Sequence, residues 1–343
     1  MTPPPSTARE RIRRAIDLIG AERPDDYVIA PSEHAEGYRE SAPDLADVLW
    51  RSEIQVSAER FEELDARALE AQSRFTRLSN RARSAVFWAG ISAAALLATG
   101  AFSPLLSELV TRVLLLVSMA GGAVASALAA AWIRSIRTGS LLERWMTRRA
   151  EAETERLRFF ELVTGAEGVS EPLLLLEYFR RYQLDVQRTF YSKRGADHRA
   201  EADRKLSLSG TAVALGGGAS ALAGVLAASL APYWSGLAAL GLAGQALASR
   251  LENEEATAQS RRNAERYERT SLALDRLFAE LDRVRQALAA GSREVLSAYV
   301  ESVHQQLSLE HRQWLDEISA AGEAAARLEK LLEEYSETKS SAT

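Results

Sequence analysis

Four histidines, a glycine triplet and five polar residues inside apolar runs are the positions at which this sequence can do chemistry. The histidines are His34, His198, His304 and His311. A zinc site on a helix needs two imidazoles four residues apart on one face. The nearest pair, His304 and His311, is seven apart; it can share a face, yet solvent-facing histidines are the better expectation and no metal site is assigned. Gly216-Gly217-Gly218 has the composition of a phosphate loop, but no Lys-Ser or Lys-Thr follows it and apolar residues surround it. Close helix packing or a helix break explains the triplet better. Ser126, Ser209, Thr211, Ser220 and Gln245 lie within apolar runs, where they can line a pore or hydrogen-bond between helices. Ser and Thr can equally satisfy their own helix backbone there.

Other chemistry is excluded by what the chain lacks. It has no cysteine, so disulfides, thiolate catalysis and thiolate metal ligation are all absent. No nucleophile–base constellation is legible, no catalytic residue is assigned and no cofactor is called for, which leaves enzyme as the least supported class. A proton-coupled transporter needs an Asp, Glu or His within the membrane, and the apolar runs contain none. Lys and Arg total 42 against 47 Asp and Glu, so there is no basic excess of the kind a nucleic-acid binder carries.

The elements that position these residues are set by where charge is missing. Residues 84–107 form a 24-residue stretch without a charge, 113–133 one of 21, and 206–249 one of 44 that Pro232-Tyr233-Trp234 interrupts. A bilayer core of about 30 Å is crossed by roughly 20 helical residues. The sequence therefore predicts an all-α membrane protein with four spans, at 85–106, 113–133, 206–230 and 233–250, arranged as two hairpins. The competing possibility is four buried helices of a soluble bundle. Trp88, Trp132 and Tyr233-Trp234 stand near span ends, where interfacial aromatics belong. Small residues recur at four-residue spacing in Gly121/Ala125/Ala129, Gly217/Ala221 and Ala239/Ala243, which permits close helix contact.

Basic residues flank the outer ends of both hairpins: Arg74, Arg77, Arg81 and Arg83 before the first, Lys193, Arg194, Arg199, Arg204 and Lys205 before the second. The first tip holds only Glu108 and Arg112, the second no charge. By the positive-inside rule both termini are cytoplasmic and both tips face outward. The opening Met1-Thr2-Pro3-Pro4-Pro5 lacks a basic segment followed by an apolar core, so no cleaved leader is expected.

The charged remainder reads as helix. Residues 52–83 have apolar residues at helical spacing and no Pro or Gly, and should run into the first span as one rod. The stretch from Arg134 to about Thr164 should behave likewise. Residues 1–51 hold most of the prolines and read as loosely folded, apart from a short helix at 7–19. Trp314, Ile318, Ala321, Ala325, Leu328, Leu332 and Tyr335 alternate at spacings of four and three, the seam of a coiled coil or of a helix packed on its own chain. The layout repeats: 52–164 and 172–314 each carry a basic helix, a hairpin and a charged helix, followed by a C-terminal coiled-coil helix and tail at 315–343.

Trp145, Arg148, Arg149, Ala150-Glu151, Glu155, Leu157 and Phe159-Phe160 follow the first hairpin in a recognisable order. Tyr178, Arg180, Arg181, Gln187, Phe190-Tyr191, Lys193-Arg194, Ala196 and Lys205 precede the second, with Val300-Glu301 and Glu310-His311-Arg312-Gln313-Trp314 beyond it. Together they resemble the SLATT family of two-transmembrane effector domains that accompany SMODS and SLOG proteins in bacterial conflict systems, here as a tandem. The resemblance implies an inner-membrane, antiviral-defence effector that forms a pore or disrupts the membrane on a nucleotide-type signal. It also implies a signal received from a nucleotide messenger or a sensor encoded nearby; two hairpins alone do not readily enclose a wide aqueous path, so conduction calls for a homo-oligomer. No sensor domain is recognisable in the chain. The alternative is a non-conducting scaffold that recruits a cytosolic partner through its helical cytoplasmic part.

Overall fold

The computed structural model describes residues 8–20, 28–258 and 260–308. It is 90% helical, with no strand among the described residues. The proposed C-terminal seam, His311 and the 310–314 motif lie outside the described residues.

Three short helices open the chain: α1 (Ala8–Gly20), α2 (Pro31–Tyr38) and α3 (Pro43–Leu49). Each of the last two starts on a proline, whose fixed φ and missing N–H suit a first helical turn. The expectation of a loose segment after Gly20 is therefore corrected from Pro31 onward, because Tyr38, Leu45 and Leu49 are fully buried. Single prolines at helix starts had concealed an apolar face too short to show a period.

Helix α4 (Ser52–Phe102) runs unbroken for 51 residues, as the absence of proline through this stretch predicts. Pro104 then closes it in a 3-10 turn, Ser103–Leu105. Ser107 caps α5 (Glu108–Thr138), its hydroxyl accepting from the Val110 N–H at 3.4 Å, with Glu108 in the first turn against the helix dipole. The rod expected from Arg134 to Thr164 is instead divided. Gly139 and Ser140, the latter at φ 43°, break it, and α6 (Leu141–Thr164) follows. A left-handed residue ends a helix whatever the apolar period does beyond it.

Helix α7 (Pro172–Phe179) continues through a π turn, Arg180–Asp185, into α8 (Val186–Ser229). A 3-10 segment, Pro232–Ala238, precedes α9 (Ala239–Ala258), and α10 (Ser260–Ala279), α11 (Leu281–Ala289) and a helix α12 over 294–308 complete the order.

Three helical stretches are long and apolar enough to cross a membrane: Ser52–Leu105, Glu108–Thr138 and Pro172–Ser229. Their apolar windows are only 17%, 6% and 11% buried, whereas a soluble bundle would cover them. Such helices are the mark of a membrane protein. The fourth apolar segment does not stand among these three, since α9 has only residues 239–249 before Arg250.

The chain divides into two units, each assembled from separate stretches. One takes the described residues up to Asp65, Arg149–Ser192 and those from Glu268 onward; the other takes Ala66–Arg148 and Lys193–Tyr267. Helix α4 thus contributes to both. In the first unit α7 is the central helix, with α1 and α11 packed on it. Phe159 and Phe160 of α6 and Leu175, Leu176, Tyr178 and Phe179 of α7 are fully buried there. Each such side chain contributes about 1.5–3 kcal/mol by leaving water.

Candidate functional site

The first unit concentrates its polar groups around the π turn. A π turn widens the helix and brings i and i+5 onto one side. Glu177, Tyr178, Tyr182 and Gln183 are all buried, so the helix meets protein around most of its circumference. His34 of α2 shares a 2.9 Å hydrogen bond between its Nδ1 and the Tyr178 hydroxyl and stacks on the Tyr182 ring at 4.2 Å. The hydroxyls of Tyr38 and Tyr182 hydrogen-bond at 2.7 Å. These contacts clamp α2 onto the α7–π helix.

Charged groups surround this aromatic cluster. Arg180 and Arg285 each donate from Nε to the Glu177 carboxylate at 2.7 Å, and Arg180 also pairs with Asp185. The bond to Glu177 holds the Arg285 guanidinium above its ordinary pKa. Arg188 donates to one oxygen of Asp275 at 2.8 and 2.6 Å and lies 3.8 Å over the Phe278 ring. Arg156 of α6 donates to the Gln183 side-chain oxygen at 2.8 Å and to the Tyr182 carbonyl at 3.3 Å. Burial is the main force pulling the Arg156 pKa down. Each of these guanidiniums already has an acceptor, so the cluster holds helices together and presents no open cradle to an anion. Among the described residues, Gln183 Nε2 and His304 Nε2 are buried polar atoms without a hydrogen-bond partner.

The histidines differ from expectation. His34 and His304 are buried, not solvent-facing. His304 of α12 rests against the Phe179 ring, its Nδ1 3.2 Å from a Glu161 oxygen. Burial pulls its pKa below the ordinary 6.5, while Glu161 opposes the shift. His198 lies beside the Tyr267 ring in the other unit. Among the described residues, no group of three His, Asp or Glu side chains is placed to hold a metal.

In the second unit the apolar helices run antiparallel at close range. A Cβ on Gly90 of α4 would stand 2.6 Å from that of Ala246 in α9, and one on Gly236 would stand 2.5 Å from the Phe102 ring. Arg250 lies over the Phe87 ring at 5.3 Å. Residues 236–250 therefore track α4 from Phe102 down to Phe87, a rise of about 22 Å. Helices α8 and α9 meet at glycines: a Cβ on Gly244 would fall 2.5 Å from the Ala212 carbonyl oxygen, and one on Gly216 3.2 Å from the Gly241 Cα. Within the first hairpin, Ala125 and Ala129 are buried and Gly121 faces Ser92.

The five polar residues of the apolar runs do not converge. Ser126 and Gln245 are exposed. Thr211 donates to the Ser207 carbonyl at 2.8 Å, one turn back on its own helix. Ser209 is buried and lies 3.4 Å from a Glu252 oxygen, and half-buried Ser220 sits against Gly241. The glycine triplet divides by role: Gly216 meets α9, while a Cβ on Gly217 or Gly218 would meet no atom within 4 Å.

Comparison with known proteins finds no matching family model, no matching curated protein and no matching solved structure. Several residues that carry the SLATT resemblance, among them Glu155, Phe159, Phe160, Tyr178 and Gln187, are buried in the first unit. Sequence reasoning missed the His34–Tyr178 and Tyr38–Tyr182 contacts, which join residues 144 positions apart. The one available signal was the shared four-residue spacing of His34/Tyr38 and Tyr178/Tyr182.

Proposed function

We propose that the protein is a membrane effector whose first unit receives a cytoplasmic signal and whose apolar helices, in several copies, open a path through the bilayer. The observation that carries this reading is the unbroken α4, which begins beside the buried network of Ser57 and Glu155 and ends in an apolar span. A ligand or partner that prefers a different packing of residues 52–65 would act on the span through continuous helix backbone. The SLATT resemblance points the same way, toward a bacterial inner-membrane defence protein triggered by a nucleotide messenger or a neighbouring sensor.

Four crossings with both termini cytoplasmic complete the proposal. Support for the fourth comes from the antiparallel run of 236–250 along α4 and from the charge-free tip at Pro232-Tyr233-Trp234. Among the described residues one chain gathers no polar path, so conduction requires association. Exposed Ser126 and Gln245, and the unpacked faces at Gly217 and Ala221, are available for it.

Purified full-length protein in dye-loaded liposomes should release dye when the correct nucleotide or neighbouring-gene protein is added. Vesicles that stay tight with every such trigger, while a cytosolic partner is still captured, would replace the effector with the non-conducting scaffold.

A further inference from the structure

A groove of about 610 Å³ opens between α4 and α5. Its size is that of a site for a small organic molecule. One end is polar, with Asn80, Arg81 and Ser84 on α4 and Trp132 on α5. The rest is apolar, floored by Gly121 and Ala125 and walled by Trp88 and Leu128. The groove exists because small residues on α5 face a bulky indole on α4. On α5 the lining extends over twelve residue steps, from Trp132 to Ala120. That separation is about 18 Å of helix, a little over half of a bilayer core of about 30 Å.

We propose that this groove seats one anionic phospholipid of the cytoplasmic leaflet, with the phosphate at Arg81 and an acyl chain along Gly121, Ala125 and Leu128. Length, polarity order and charge all match such a molecule. Arg74, Arg77 and Arg81 are exposed and spaced by three and four, so one basic face of α4 leads into the polar end. Among the described residues Arg81 has no ion-pair partner, and no carboxylate lines the groove. Trp88 and Trp132 flank the chain and headgroup levels, where indoles favour the membrane interface. The inference rests on α4 and α5 crossing the bilayer with their arginine-rich ends in the cytoplasmic interface.

The test is quenching of tryptophan fluorescence in the full chain, reconstituted with bromine-labelled phosphatidylglycerol or bromine-labelled phosphatidylcholine at equal mole fraction. The anionic probe should be preferred by roughly fivefold, the effect of one basic side chain at an anionic surface. Arg81→Gln, at an exposed position, should remove that preference, and Arg81→Lys should largely restore it. Gly121→Leu should abolish it by filling the groove; its Cβ would meet only the Ser92 hydroxyl, at an ordinary 3.6 Å. Equal quenching by both probes overturns the lipid site while leaving the membrane helices in place. A preference untouched by Arg81→Gln and Gly121→Leu also overturns it, as does cross-linking of two copies through Ala120→Cys with no lipid preference. Absence of quenching by either probe overturns the bilayer crossing itself, and the site with it.

Discussion

Glu177 is the residue on which the first unit's charge network turns. Its carboxylate is buried and receives Arg180 from its own helix and Arg285 from α11. Breaking one side of a buried pair is costlier than the pair is worth, because the remaining charge loses its compensation. Glu177→Ala should therefore lower stability by about 3 kcal/mol, measured as helicity lost in denaturant titration of detergent-solubilised protein. Residual pairing of Arg180 with Asp185 and of Arg285 with Asp282 keeps the loss from being larger. His304 makes the same unit sensitive to acid. Its folded pKa lies below the unfolded 6.5 because burial disfavours the imidazolium. Below 6.5 the unfolded chain binds a proton that the folded chain resists, so stability is full above that pH and falls as pH drops toward the folded pKa. The melting temperature should decline between pH 7.5 and 5.5, and His304→Leu should flatten that decline. The seven-residue spacing to His311 gave no hint of this, since burial of His304 depends on Phe179 and Glu161, far away in sequence.

At the scale of elements, the apolar helices are held by a few glycines and not by every small residue in the runs. Gly244 faces the Ala212 carbonyl oxygen, and a branched side chain there would force α8 and α9 apart. Gly244→Val should weaken the second hairpin by about 2 kcal/mol, the scale of an overpacked contact, in a denaturing-detergent titration. Gly217→Ala should be neutral or stabilise α8 by up to about 1 kcal/mol, since its Cβ meets nothing and the helix gains a better former. A reversed order of these two variants would place the helix contact on the wrong face of α8. The long helix α4 was legible from composition and spacing. The break at Gly139-Ser140 was not, because an apolar period can resume after a left-handed residue without revealing the turn.

For the whole molecule, the absence of native cysteine makes topology directly measurable. Glu108→Cys and Tyr233→Cys should each react with a membrane-impermeant reagent in intact cells, whereas Glu143→Cys should react only after permeabilisation. Protection of Tyr233→Cys alongside labelling of Glu108→Cys would remove the whole second hairpin from the bilayer and leave the first intact. Those outcomes bear on the effector proposal because a path made by several chains needs both hairpins to traverse the same thickness of lipid.

Charge distribution along the chain was enough to mark out long helices with stretches apolar enough to cross a membrane, because transfer of charge into hydrocarbon is costly wherever the chain folds. The end of α4 near Pro104 follows from local backbone chemistry in the same way, whereas the helix starts at Pro31 and Pro43 were hidden because prolines also mark loose segments. Only the tertiary structure decided which glycines carry helix contacts, which histidines are buried and how residues 236–250 lie against α4. Each of these depends on the register between helices distant in sequence, and the period of one helix does not specify its register against another. The buried pairing of His34 with Tyr178, across 144 residues, is the clearest case.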